Sequence, residues 1–194
     1  MSKKRLAIFA SGKGSNALNI IHHLKGNPQM EVVFVLSNKK DAPILEHAKA
    51  TGVQTYFFDN QQTADGTFLS AFCQEQKIDF IILAGYLRLI PSELIHHFPD
   101  KIINIHPALL PKFGGKGMYG SNVHKAVLEA KESITGISIH FVNSEFDSGR
   151  ILAQFTCSVQ PTDDLELIES KIHLLEQAYY PIVIEKTILN YAHV

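Results

Sequence analysis

The 194-residue chain (21.6 kDa) is 45% hydrophobic and 19% charged, a balance that fits one globular domain over 1–194 and excludes a disordered or low-complexity protein. Its 18 basic and 19 acidic residues leave a net charge of −1, which gives no electrostatic footprint for nucleic acid or a membrane surface. No run approaches the roughly 18 apolar residues that span a bilayer, "LAIFA" is too short for a secretion signal, and Cys73 and Cys157 follow no metal or redox spacing, so a reduced, cytoplasmic location is expected.

The first predicted strand is "RLAIFA" at 5–10, a continuous apolar run of the kind buried on both faces of a parallel sheet. It leads into "SGKGSN" at 11–16. Glycines there let backbone N–H groups approach an anion, and the following helix adds the partial positive charge of its N-terminus. No Gly-Lys-Ser/Thr closes the loop, so it is not a Walker motif. Gly12, Gly14 and Ala17 almost fit the dinucleotide fingerprint, but Leu36, Ser37, Asn38 and Lys39 stand where a ribose-binding acid is needed. A phosphate monoester held by Gly14, Ser15 and Asn16 is the functional reading; a plain turn with a Ser or Asn cap is the alternative.

Helix-like segments at 16–26, 42–52 and 66–76 alternate with strand-like runs at 31–37, 53–58 and 79–84. This βα series predicts an α/β fold, a single-domain open and mostly parallel twisted sheet with helices on both faces. "LAGYLRLIP" at 83–91 leaves the fourth strand at the carboxyl edge, where such sheets bind ligands. Leu87, Leu89 and Ile90 are apolar in a loop, which suits either the wall of a pocket for a flat ligand or packing beneath the next helix. Arg88 is placed to pair with an anion or a substrate carboxylate.

The fifth strand, "KIINI" at 101–105, runs into Asn104-Ile105-His106-Pro107. Alternate strand residues share a face about 6.5–7 Å apart, so Asn104 and His106 converge beyond the strand end, and Pro107 favours an extended His106. A carboxamide that stabilises an oxyanion and an imidazole that moves a proton suit a tetrahedral intermediate; a histidine satisfying buried backbone is the alternative. The glycine-rich 111–120 loop, with Lys112 and Lys116, reads as a mobile cover.

A helix at 122–131 precedes two strands, 135–142 and 150–159, that add to the sheet as antiparallel or edge strands. The turn between them offers Asp147 to orient a catalytic histidine, with Glu145 second. Ser138 and His140 share one strand face and read as supporting or packing residues. A final helix at about 164–189 is expected to bend or break near Pro181. His22-His23 and His96-His97 look like helix-surface pairs, and no metal site is expected.

With "ASGKGSN", "LAGYLRLIP", "NIHPALLPKFGGKGMYG", "GISIHFVNSEFDSGRIL" and "LEQAYYPIVI" in this order, nearly the whole chain resembles the folate-dependent phosphoribosylglycinamide formyltransferases. The resemblance implies transfer of a formyl group from 10-formyltetrahydrofolate to the amine of glycinamide ribonucleotide in purine biosynthesis, by a monomer or homodimer, without metal. It implies a catalytic trio of Asn104, His106 and Asp147, with His106 cationic beside Asp147. It implies ribonucleotide binding by Gly14, Ser15, Asn16 and Glu176. It implies a folate pocket formed by Leu87, Arg88, Leu89, Ile90 and Asn104, with Asn143, Ser144, Glu145, Phe146 and Asp147 against the pterin.

Two departures stand out. The stretch "NQQTADGTF" lacks the arginine that family members often carry there, leaving only Arg5, Arg88 and Arg150 in the chain, and Ala108 replaces a common serine. Methionyl-tRNA formyltransferase is expected to carry a further C-terminal domain and formyltetrahydrofolate hydrolase an N-terminal one, and neither extension is expected here. A non-catalytic nucleotide-binding module would leave Asn104, His106 and Asp147 without purpose.

Overall fold

A computed structural model describes residues 3–191. Seven strands form one sheet in the order β3-β2-β1-β4-β5-β6-β7. These are β1 (Lys4–Phe9), β2 (Met30–Ser37), β3 (Gln54–Phe57), β4 (Phe80–Leu83), β5 (Ile102–His106), β6 (Ile134–Phe141) and β7 (Ile151–Ser158). The first five pair in parallel, while β6 and β7 are antiparallel. Both features follow the sequence expectation.

The continuous apolar strands feed two cores, because successive side chains leave opposite faces of the pleat. Leu6 and Ile8 enter one core with helices α1 (Ser15–His23), α2 (Pro43–Ala50) and α7 (Leu165–Tyr191). Ala7 and Phe9 enter the other, against α4 (Gly66–Glu75) and α5 (Ser92–His97). Short α3 (Asn60–Ala64) precedes α4, and α6 (Ser121–Glu129) joins the first core through Val127. Neither α3 nor α5 has the length of a periodic apolar pattern, and α3 owes its start to an Asp59–Gln62 capping box.

Chain order reverses between β1 and β4, and the crevice at a parallel sheet's carboxyl edge lies at such a switch point. There the Ser11 N–H donates to the Gly85 carbonyl at 3.1 Å, which joins the two glycine loops.

The final helix does not break at Pro181 but runs through it. Proline has no N–H, so the Gln177 carbonyl four residues back lacks its helical donor. Asn19 of α1 supplies the replacement, donating from Nδ2 at 2.7 Å. The interruption expected at Pro181 is thereby repaired by the neighbouring helix, and the repair fixes α7 against α1. Tyr180, fully buried, places its hydroxyl against the carbonyls of Leu83 and Ile103 at 2.9 and 3.2 Å. It braces the ends of β4 and β5, from which Asn104 projects.

Candidate active site

Gly14 sits at the mouth of α1 with φ of +76°, and a Cβ there would collide with Ile44. Only glycine satisfies both demands. No side chain caps α1, so the Ser or Asn cap considered for this loop does not form. The first-turn N–H groups of this nine-residue helix are left without a side-chain cap.

Asn16 is held from both ends. Its Nδ2 donates to Glu176 Oε2 at 2.9 Å, and its Oδ1 accepts from Gln177 Nε2 at 2.8 Å. Burial raises the Glu176 carboxyl above its ordinary range, opposed by the Asn16 hydrogen bond and by His173. Gln177 carries no local sequence signal for this role. It emerges only because α7 packs along α1.

Asn104 and His140 are direct partners across the antiparallel β5–β6 pair. Asn104 Nδ2 lies 3.1 Å from His140 Nε2. His140 Nδ1 bonds the Phe141 carbonyl at 2.9 Å, which places its proton on Nδ1 and leaves Nε2 to accept. One Asn104 amide hydrogen is thus used, and the second stays free for a ligand.

His106 is 3% exposed. Its Nε2 donates to the Phe113 carbonyl at 2.8 Å, and its Nδ1 lies 3.5 Å from Asp147 Oδ2. Asp147 Oδ1 lies 3.7 Å from His140 Nε2, and Oδ2 accepts from the Gly115 N–H at 3.0 Å. Burial lowers the His106 imidazole below its ordinary range, with Asp147 and the Phe113 carbonyl opposing it. Burial thus works against the cationic His106 expected beside Asp147, while the carboxylate and the Phe113 carbonyl, one facing each ring nitrogen, work for it. Burial lowers His140 and His124 as well.

Asp147 reaches this position from a turn in which it adopts φ of +53° itself. Gly149 lies so close to the Phe141 carbonyl that a Cβ would overlap it. The hairpin is pinned further by Arg150, whose guanidinium stacks 4.6 Å from the Phe141 ring centre.

A cavity of about 460 Å³ gathers Asn16, Glu176, Asn104, His106, His140 and Asp147 with Leu87–Ile90, Asn143, Glu145, Phe146 and the loop 115–120. Leu87 and Leu89 are 51% and 52% exposed, whereas Tyr86 and Ile90 are buried in the core. Tyr86 and Ile90 thus pack into the core and border the cavity at once, while Leu87 and Leu89 line it from the exposed side. Gly14 and Ser15 lie beside the cavity rather than in its lining, and Ser144 faces a neighbouring cleft with Thr63, Ala64 and Arg88.

Ser138 is wholly buried. It donates to the Ala108 carbonyl at 2.7 Å and accepts from the Leu110 N–H at 2.9 Å and Gln154 Nε2 at 2.8 Å. It secures the turn after His106 without lining the cavity. His124, which sequence reasoning passed over, lines the cavity from α6. Among the described residues no group of three or more His, Cys, Asp or Glu is placed to hold a metal ion, and no helix is long and apolar enough to cross a membrane.

Residues 4–184 match the Formyl transferase family. The chain belongs to the formyl transferase family. It is 44% identical over 184 residues to the chloroplastic phosphoribosylglycinamide formyltransferase of Arabidopsis thaliana, covering 92% of this chain and 63% of the relative. A second plant relative, from Vigna unguiculata, is covered over 60% of its length, so the chain spans a little under two thirds of both. The Bacillus subtilis phosphoribosylglycinamide formyltransferase is 35% identical over 188 residues, with 94% of each chain covered. The crystal structure of phosphoribosylglycinamide formyltransferase from Bacillus halodurans superposes with a TM-score of 0.86 at 34% identity, covering 95% of each chain. Glycinamide ribonucleotide transformylase 1 from Symbiobacterium toebii gives a TM-score of 0.86 at 32% identity, covering 94% of this chain and 86% of its own. Seven strands in this order, with a two-stranded antiparallel extension, are therefore the formyl transferase architecture.

Proposed function

We propose that the chain is a phosphoribosylglycinamide formyltransferase that moves the formyl group of 10-formyltetrahydrofolate to the amine of glycinamide ribonucleotide, in the cytoplasm and without metal. One observation carries the reading. Asn104, His106 and Asp147 meet in one cavity whose lining also holds the polar Asn16–Glu176 pair and the exposed apolar Leu87, Leu89 and Phe146. Such a lining offers polar partners for a phosphosugar and apolar ones for a flat ring.

On this reading the uncapped start of α1, at Gly14, Ser15 and Asn16, takes the phosphate, and Glu176 accepts from the sugar hydroxyls. Leu87, Leu89 and Ile90, with Asn143, Glu145 and Phe146, enclose the ring. Arg88 and Ser144 share the adjoining cleft, so Arg88 takes a donor carboxylate in place of the arginine missing from 60–68. Holding amine and formyl carbon together supplies much of the acceleration.

The free Asn104 amide hydrogen stabilises the oxyanion formed when the amine adds to the formyl carbon. His106 Nε2–H joins it once the Phe113 carbonyl withdraws with its loop. The Asp147–His106 pair receives the proton lost by the amine and returns it to the departing folate nitrogen, so the C–N bond to folate breaks as the new amide forms. Ser138 and His140 hold the turn and the carboxamide in place.

The test supplies 10-formyltetrahydrofolate with glycinamide ribonucleotide, with methionyl-tRNA, or with no acceptor. Formylated ribonucleotide appearing only in the first mixture is the expected result. Folate deformylation that proceeds equally without an acceptor would overturn the transferase reading.

A further inference from the structure

Ser11 opens the glycine loop and by position belongs with the phosphate-binding residues. Its side chain serves the opposite side of the crevice. Ser11 Oγ accepts from the Leu87 N–H at 3.0 Å and donates to Asn38 Oδ1 at 2.7 Å. Asn38 Nδ2 in turn donates to Asn60 Oδ1 at 3.0 Å, so a relay runs from the end of β2 to Leu87. The Ser11 N–H meets the Gly85 carbonyl at 3.1 Å. Gly85, with φ of +72°, turns the chain away from β4, and Ser11 therefore grips that turn on both sides. Ser11 is 1% exposed and Asn38 8%, which leaves little room for water to take over these bonds.

We propose that Ser11 is a positioning residue for the formyl-donor side of the cavity, setting Leu87 and Leu89 against the donor's ring through the Leu87 backbone, and not a phosphate ligand. This rests on the folate reading of the cavity given above. The phosphate end has anchors of its own. The Ile44 N–H donates to the Gly12 carbonyl at 3.3 Å, the Leu18 N–H to the Gly14 carbonyl at 2.9 Å, and Gln177 holds Asn16. Removing the Ser11 hydroxyl leaves those contacts intact while stranding the Leu87 N–H and Asn38 Oδ1, and a buried polar group without a partner is what destabilises most.

Ser11→Ala is the direct test, Asn38→Ala a second route that removes the hydroxyl's own acceptor, and Ser11→Thr the variant that keeps a hydroxyl. Tetrahydrofolate and glycinamide ribonucleotide are titrated separately, and KM for each substrate, kcat and the hydrogen exchange of the Leu87 amide are measured. Ser11→Ala is expected to weaken tetrahydrofolate binding and raise the donor KM about tenfold. Ribonucleotide affinity and kcat should stay within about twofold, since distant anchors act independently. The Leu87 amide should exchange faster, Asn38→Ala should shift the same quantities in the same direction, and Ser11→Thr should recover most of the loss.

Unchanged tetrahydrofolate affinity, or a loss shared equally by both ligands, overturns the assignment. Should Ser11→Ala not fold, Asn38→Ala decides by the same readouts. A wild-type protein that fails to bind tetrahydrofolate would instead bring down the folate reading itself, and this assignment with it.

Discussion

Asn16 and Glu176 stand 160 positions apart in the chain and meet at 2.9 Å, the carboxamide of the first helix donating to a buried carboxylate of the last. That carboxylate is held against desolvation, which raises its proton affinity. Its folded pKa lies above the unfolded value, so proton uptake favours the native state at low pH, and the contribution disappears as pH rises through the folded pKa. A neutral isostere keeps an acceptor for Asn16 without the desolvated charge. Glu176→Gln is therefore expected to raise the melting temperature at neutral pH while raising the ribonucleotide KM roughly tenfold or more through loss of charge-assisted hydrogen bonds to the sugar. Thermal unfolding and steady-state kinetics on one preparation check both halves.

The carboxamide and imidazole at the end of β5 serve different moments of the proposed reaction. Asn104→Ala removes an oxyanion donor and is expected to lower kcat about 10²–10³-fold. His106→Ala and Asp147→Asn interrupt the proton path and are expected to cost about 10²–10⁴-fold. Ribonucleotide binding, measured by calorimetry, should survive in all three, because none of these residues belongs to the Asn16–Glu176 pair.

Three buried histidines, His106, His124 and His140, have folded pKa values pulled below 6.5. Between those lowered values and 6.5 the unfolded chain binds more protons than the native one, so stability falls as pH drops through that window. Urea midpoints measured from pH 7.5 down to pH 5 should decline accordingly. His140→Gln should flatten the slope, and an unchanged slope in that variant would count against burial as its source.

Gly149 decides whether the Asp147 turn closes. A Cβ at this position overlaps the Phe141 carbonyl, so Gly149→Ala must displace the hairpin by shifting backbone. The expected result is destabilisation by about 1–3 kcal/mol or more and a loss of turnover resembling that of Asp147→Asn. Wild-type kcat in a folded Gly149→Ala protein would show that the turn's position does not matter to catalysis.

Much of the sheet was legible because its strands are continuous apolar runs and its helices periodic. The antiparallel addition was visible in the change of pattern after residue 120. Short α3 was not, since a capping box leaves little periodicity to read, and α5 was visible only as an unbounded helix around His96-His97. The break anticipated at Pro181 illustrates a different limit. A proline removes one donor locally, but whether the carbonyl it strands finds another depends on a neighbour such as Asn19, and that neighbour is 162 positions away.

The candidate site divides in the same way. Strand alternation alone put Asn104 and His106 on one face, and the glycine loop alone marked a place for an anion at Gly14, because these are consequences of local geometry. The sequence by itself therefore determined which chemical groups are present and on which short segments they lie. Only the tertiary structure decided that Gln177 pins Asn16, that Ser11 turns toward Leu87, and that His106 is buried between the Phe113 carbonyl and Asp147. Hydrogen-bond partnership and desolvation depend on what packs against a group, and residues from α1, α7, β6 and the 111–120 loop become neighbours only when the sheet is assembled.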